Sequence, residues 1–509
     1  MVSLQWGVAN RTLHTLRGIS DEGDAMARTV ILGGGIAGHT AALHLRRLLP
    51  REHEVVVVTP NSKWNWIPSN IWVGVGVMDP ADVVLPLAPV YAKQGIGYVQ
   101  AKATRILPHG DAEDARGAVD VEHTAPERSG QVERLRYDYL VNATGPKLNF
   151  AATPGLGPDE GHTVSVCTAG HAEHAASELR TVIASLKAGH RQTLVIGTGH
   201  GTCTCEGAAF EYVFNVEHEL RQAGVRDLAE IIFLTNEYEL GDFGAGGMEF
   251  EENGFRTTGR MWTESLFRER GVRAITGAGC AKIEEGVIHY ELLDGTEHTQ
   301  AFDFAMLLPP FRGVGLTAKD AAGADITDQL FAPSGLMKVD ADYSGKPYEE
   351  WKASDWPSTY AVPGFDNIWA VGIAFAPPHP ISKPRKSPKG TVISPAPPRT
   401  GMPSGVMGKA VAQTIADRIL GRAKPPHEAS MANMGAACVA SAGTGLTKGS
   451  AASITMMPVV PDFEKYETGR DLGETKGEIG LAGHWMKLSL HHLFLYKAKA
   501  LPGWQLIPE

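Results

Sequence analysis

The decade Thr29-Val30-Ile31-Leu32-Gly33-Gly34-Gly35-Ile36-Ala37-Gly38 decides the fold. Four residues of buried-strand character run into GxGxxG, and HTAALHLRRLLP, about three turns of helix, follows. In that context the glycines permit a tight turn and a close approach of a pyrophosphate to free N–H groups at a helix N-terminus. A buried parallel strand, Glu54 to Val58, comes next and ends in Thr59-Pro60, where an acidic ribose acceptor is the usual choice for NAD. Thr59 can still hydrogen-bond, so the site stands while an ordinary NAD fingerprint does not.

A second copy of this pattern begins at Thr193-Leu194-Val195-Ile196 and continues through Gly197-Thr198-Gly199-His200-Gly201-Thr202. Thr202 replaces the third glycine, and Cys203-Thr204-Cys205 follows it. A later strand, Ile231 to Thr235, ends near Glu237, the one acidic residue placed to hold a nicotinamide ribose. Two such units predict an α/β protein with two Rossmann-like dinucleotide-binding domains.

The whole chain agrees with that class. Its 509 residues are 43% hydrophobic and 20% charged, enough for several domains and a large core. A formal charge of -10 offers no basic surface to nucleic acid. Five cysteines, Cys167, Cys203, Cys205, Cys280 and Cys438, form neither a disulfide scaffold nor a CxxC pair, and no zinc-type ligand spacing is present. The first 25 residues lack an apolar signal core, so they read as a loose extension before Met26 and the compartment as cytoplasmic. No window holds 18 unbroken apolar residues, which leaves only peripheral or monotopic contact with a membrane.

Two further turns follow strands: Ala143-Thr144-Gly145 after Tyr139 to Asn142, and Gly372-Ile373 after Asn367 to Val371. Together with WNWIPSNIWVGVG (64–76), NATGPKLNF (142–150), SVCTAGHAEHA (165–175) and AVGIAFAPP (370–378), they make the chain resemble sulfide:quinone oxidoreductase, within the two-dinucleotide-domain flavoproteins. The resemblance runs from about residue 30 to about residue 421. It implies FAD held by Gly33, Gly35, Ile36, Ala37, Gly38, Thr59, Ser69, Asn70, Ala143, Thr144, Gly145, Gly372, Ile373, Arg399, Thr400 and Gly401; no cysteine stands beside Ala143-Thr144-Gly145, so noncovalent binding is expected, and no metal is expected. Arg399 stands where relatives usually carry lysine, and a fixed cation there would stabilise reduced flavin.

The resemblance also places a redox sulfur at Cys167, at the start of a helix whose positive end is expected to lower its pKa, with His171 and His174 on the following turns. The second redox cysteine is expected just before PSGLMKVD (333–340), and Phe331 stands there instead. Either Cys203 or Cys205 supplies the other sulfur, or Cys167 works alone with an external acceptor, or sulfide oxidation has been lost. Cys280 and Cys438 read as structural.

The implied domains are a 1–25 extension, an FAD domain in two parts (26–165 and 306–430), a second dinucleotide-type domain (166–305) and a C-terminal quinone- and membrane-facing region (431–509). In that last region Trp485, Met486, Leu488, Leu490, Leu493, Phe494, Leu495, Tyr496 and Trp504 lie among lysines, a composition suited to a lipid headgroup layer on the cytoplasmic side. The proline-rich run 376–403 reads either as an ordered loop or lid over the flavin or as a surface excursion. The expected activity is FAD-dependent oxidation of sulfide, or a related sulfur species, by a quinone. Two alternatives remain: a type II NADH:quinone oxidoreductase, and a flavoprotein subunit passing electrons to a cytochrome. A homo-oligomer is compatible with either arrangement.

Overall fold

A computed structural model describes residues 26–204, 206–252, 254–399 and 401–509. The N-terminal extension, Cys205 and Thr400 lie outside the described residues. The glycine-rich turn does what its sequence demands: Arg28–Leu32 is a strand, Ile36–Leu48 a helix, and the Gly33 N–H crosses to the Val58 carbonyl at 2.7 Å.

That strand lies at the centre of a nine-stranded sheet, parallel to Glu54–Thr59 on one side and to Tyr139–Asn142 on the other. Phe365–Ala370, some 220 residues further on, adds parallel to Tyr139–Asn142, so the chain leaves this sheet and later returns to it. In between it builds a four-stranded parallel sheet, in the order Val272–Ile275, Ala229–Leu234, Gln192–Thr198, Phe304–Leu308. Near-continuous Val, Ile and Leu in these strands fit sheets covered on both faces.

Part of the proline-rich segment lies on the second dinucleotide turn. Ser394 N–H donates to the Gly201 carbonyl at 2.7 Å, and Ala396 N–H to the Cys203 carbonyl at 2.9 Å.

The C-terminal region forms a three-stranded antiparallel sheet (Ala436–Thr444, Lys448–Met456, Lys476–Gly480) and an 18-residue helix, Leu481–Ala498. The uniform lipid-facing reading of this helix requires correction. Phe494, Leu495 and the following Trp504 are buried against the FAD-type unit, because Trp64, Trp66 and Phe494 stack in series with centroids 5.9 and 4.6 Å apart. Only Trp485, Met486, Leu493 and Tyr496 remain exposed, at 46, 41, 44 and 38%, and they fall at helical spacing along one stripe. No helix among the described residues is long and apolar enough to cross a membrane.

A buried ion cluster fastens this helix to the first one. Glu509 Oε1 lies 2.6 Å from both His44 Nε2 and Lys497 Nζ, with every side chain in the cluster at most 5% exposed. His39 Nε2 adds a bond to the Ala498 carbonyl at 2.9 Å. Burial pushes the Glu509 carboxyl up, but hydrogen bonds from His44 and Lys497 outweigh it and hold its pKa below the ordinary value of 4.5. A depressed carboxylate pKa contributes stability that is complete above the unfolded value and is lost as pH falls through the folded one. Glu509→Gln is therefore expected to cost about 3 kcal/mol at neutral pH, since it strands the buried Lys497 ammonium. Chemical denaturation at pH 7 and pH 3 checks this: the gap between variant and parent should close at the lower pH.

Candidate active site

Three segments converge on the first residues of helix Ile36–Leu48, and each does so through a glycine. A Cβ on Gly33, whose φ is +106°, would fall 2.1 Å from the Ala143 carbonyl oxygen, so this turn must pass directly over Ala143-Thr144-Gly145. A Cβ on Gly372 would meet Ala37 Cβ at 3.1 Å, and one on Gly408 the Ala37 carbonyl at 2.3 Å. Gly401 begins the long helix Gly401–Ile419 that packs there. Thr144 caps its own turn, its N–H and hydroxyl donating to Asn142 Oδ1 at 3.2 and 2.8 Å.

Within this crossing Gly35 stays open, as does Gly145. A Cβ on Gly35 would meet nothing within 4 Å, and Gly35 caps a helix with no side-chain cap and no acidic residue in its first turn. Unshielded N–H groups facing open space are what a pyrophosphate requires. Thr59 is buried, and its Cγ2 lies 3.0 Å from a Cβ position on Gly34, so the side chain ending the second strand borders the turn. These residues fit FAD.

The corresponding second turn is closed. A Cβ on Gly199 would lie 2.4 Å from Leu156 Cδ1, and one on Gly201 would lie 2.2 Å from the Val392 carbonyl. Leu156 and the backbone at Val392 therefore cover this turn, where Gly35 of the first has nothing against it. Glu237 is fully committed inside, accepting from the Phe243 N–H at 2.7 Å and the Thr235 hydroxyl at 2.8 Å. Burial, then repulsion from Asp242, push its pKa up to about 8, which suits a neutral acid in the core better than a ribose acceptor.

Around the flavin-type turn, Ser69 and Asn70 join three parts of the chain. Asn70 Nδ2 donates to the Val166 carbonyl at 3.2 Å, tying the 64–76 stretch to the residue before Cys167. Ser69 Oγ bonds His491 Nδ1 at 2.9 Å, tying it to the C-terminal helix. Sequence reading missed His491, because only the tertiary fold shows which side of HHLFLY turns inward.

Arg399 is buried at 4% exposure, donates to the Phe375 carbonyl and lies with Cζ 5.2 Å from the Phe375 ring centroid. Its Ser404 partner, an Oγ donating to the Arg399 carbonyl at 3.2 Å, fixes this residue at the N-terminus of the following helix. Ile373 follows Gly372 within a single 3-10 turn.

Cys167 is half-buried, and its N–H donates to Ser165 Oγ at 3.2 Å. The expected lowering of its pKa does not hold. Thr168 is the N-cap, its hydroxyl taking the His171 N–H at 3.1 Å, and the helix begins at Ala169, so Cys167 lies outside the first turn. Burial pushes the thiol up to about 11.

His171 rests edge-on against Phe150 with centroids 5.9 Å apart, and its Nδ1 is buried without a hydrogen-bond partner. His174 points away: it is exposed and pairs with Glu178 at 3.7 Å. Cys203 is fully buried, with Sγ within 3.1 and 3.3 Å of the Leu308 and Pro309 carbonyls. Phe331 is buried too, bridging in backbone register to Met337, which bridges Phe375.

The fold and the open first turn define a flavoprotein of the two-dinucleotide type. Residues 27–231 match the pyridine nucleotide-disulphide oxidoreductase family. Over 470 residues, 92% of this chain and 90% of the relative, the protein is 29% identical to the sulfide-quinone reductase of Aquifex aeolicus. It is 24% identical over 208 residues to the mitochondrial sulfide:quinone oxidoreductase of Dictyostelium discoideum, covering 41% of this chain and 42% of that one. The crystal structure of the Aquifex aeolicus sulfide:quinone oxidoreductase superposes with a TM-score of 0.72 at 26% identity, covering 93% of this chain and 92% of that one. NDH2 of Plasmodium falciparum shares the fold alone, at a TM-score of 0.60 and 12% identity, covering 93% of this chain and 96% of that one.

Proposed function

We propose that the protein oxidises sulfide with bound FAD and passes the electrons to a quinone. The observation that carries this reading over a nicotinamide enzyme is the contrast between the two turns: Gly35 opens into free space, whereas Gly199 and Gly201 are covered by Leu156 and by the 392–394 backbone. FAD supplies a two-electron acceptor at the first turn.

The chain's own residues do the rest. Cys167 is the sulfur nucleophile, and it rests as a thiol, so a base must take its proton before it can attack. His171, one turn along and with an unpartnered ring nitrogen, is the candidate, because burial lowers its pKa and keeps that nitrogen neutral and able to accept. Arg399 is a permanent cation that favours negative charge nearby. Oxidising hydrosulfide to sulfane sulfur releases one proton and two electrons, and quinone reduction consumes two of each, so one proton must come from solvent. The sulfur leaves as polysulfide or persulfide.

Quinone is a solute of the bilayer, and the exposed stripe Trp485, Met486, Leu493 and Tyr496 gives the protein a face with which to sit on one. On this reading the molecule is monotopic, on the cytoplasmic side. Rapid mixing separates the candidate functions. Sulfide is expected to bleach the flavin absorbance within the mixing experiment while NADH leaves it unchanged. Bleaching by NADH would select the nicotinamide enzyme, and bleaching by neither would select a subunit serving a cytochrome.

A further inference from the structure

Read from its neighbours in sequence, Cys438 is a small hydrophobe, but its surroundings are chemical. It is half-buried on strand Ala436–Thr444, and its Sγ lies 2.7 Å from where a Cβ on Gly207 would be, against the first turn of helix Glu206–Gln222. Four residues along, on the same helical face, stands Glu211, 95% buried, whose Oε2 is 2.8 Å from Lys487 Nζ while Oε1 has no hydrogen-bond partner. Lys487 is itself buried and comes from the C-terminal helix. A thiol, a carboxylate oxygen without a donor and an ammonium thus meet between three elements.

The site also has an approach. Along the strand, Ala440 and Ala442 share the face of Cys438. Those two alanines line a cavity of about 360 Å³ whose other walls include Phe214, His218, Arg221 and Arg270. Ala440 and Ala442 put only methyl groups on that face between the thiol and the cavity, and Glu217 and Glu269, which also line it, are offset by the two arginines.

We propose that Cys438 is a second sulfur-carrying thiol that accepts sulfane sulfur from inorganic polysulfide, with Glu211 as its base and Lys487 balancing the charge. The thiol proton passes to Glu211 Oε1. The thiolate attacks a sulfane sulfur, a bond forms between it and Sγ, one S–S bond of the polysulfide breaks, and the electron pair leaves with the shortened polysulfide. The exchange is redox-neutral and needs no other reactant. Burial pushes the Cys438 thiol up to about 12, ahead of the opposing effects of Glu211 and Lys487, so without a base at hand it is inert. The choice of polysulfide rests on the function proposed above; the site does not.

The experiment uses the full-length, FAD-loaded protein. Anaerobic incubation with inorganic polysulfide, alkylation and mass mapping are expected to find one extra sulfur on Cys438 and none on buried Cys280. Glu211→Gln, checked for flavin content and melting temperature, is expected to acquire it about a hundredfold more slowly. A wild-type protein modified on Cys167 alone would overturn the proposal, as would Glu211→Gln modified at the parental rate. Sulfide bleaching of the flavin is read on the same preparation: Cys438 modified without bleaching leaves this site standing and removes sulfide oxidation, and bleaching with Cys438 unmodified does the reverse.

Discussion

Cys167→Ala is expected to slow the reduction of bound FAD by sulfide at least about a thousandfold, while leaving FAD content and melting temperature near those of the parent. The size follows from losing the nucleophile rather than a helper, since groups that act together fail together when the bond-forming atom is removed. The structure makes the fold effect small. Cys167 is half-buried, lies outside the helix it precedes, and its backbone bond to Ser165 Oγ survives the change. Cys167→Ser separates thiol chemistry from shape, because serine keeps the volume and loses the persulfide. Stopped-flow flavin absorbance with excess sulfide measures both. A thiol held up at about 11 adds a further expectation: His171→Ala should shift the reaction toward alkaline pH, since hydroxide must then do what the unpartnered imidazole does.

The second large effect concerns the C-terminal helix. Met486→Glu together with Leu493→Glu is expected to abolish sedimentation with lipid vesicles and turnover with a long-chain quinone. Removing two apolar side chains from a lipid contact costs about 3 kcal/mol, about a hundredfold in partition, before the charges are counted. Flavin bleaching by sulfide in the same variant should run at the parental rate, because the substitutions fall on the solvent side while the inner face, with Phe494 on Trp66 and His491 on Ser69, is untouched. Equal loss of both half-reactions would mean that this helix supports the flavin rather than reaching lipid.

The site was unevenly legible in the sequence, for physical reasons. The turn at 33–38 could be read because strand, glycines and helix are local, and Gly33 and Gly38 have steric causes, visible as Cβ positions 2.1 Å from the Ala143 and Gly33 carbonyl oxygens. The closure of the second turn was half legible: Thr202 weakened the motif, but the loop that fills it comes from 392–396, almost two hundred residues away. Glu237 follows its strand where a ribose acceptor would stand, but the turn through Phe243 closes over it, and the Phe243 N–H and Thr235 hydroxyl take its oxygens. Helix proximity is visible in the sequence around Cys167, whereas the burial that pushes its thiol up is not. The C-terminal helix buries His484, Lys487 and His491 beside Phe494 and Leu495 and leaves Trp485, Met486, Leu493 and Tyr496 outside, so composition could not assign its faces. Cys438 gave no sequence signal, since Glu211 and Lys487 lie 227 and 49 residues away.

The account rests on the sulfur at position 167 meeting the flavin ring. An experimental structure of the FAD-loaded protein soaked with sulfide tests it most directly. The expected map shows extra sulfur density continuous with Cys167 Sγ and directed at the isoalloxazine. A Cys167 side chain remote from the ring, or a nicotinamide stacked against it after soaking with NADH, would contradict the assignment.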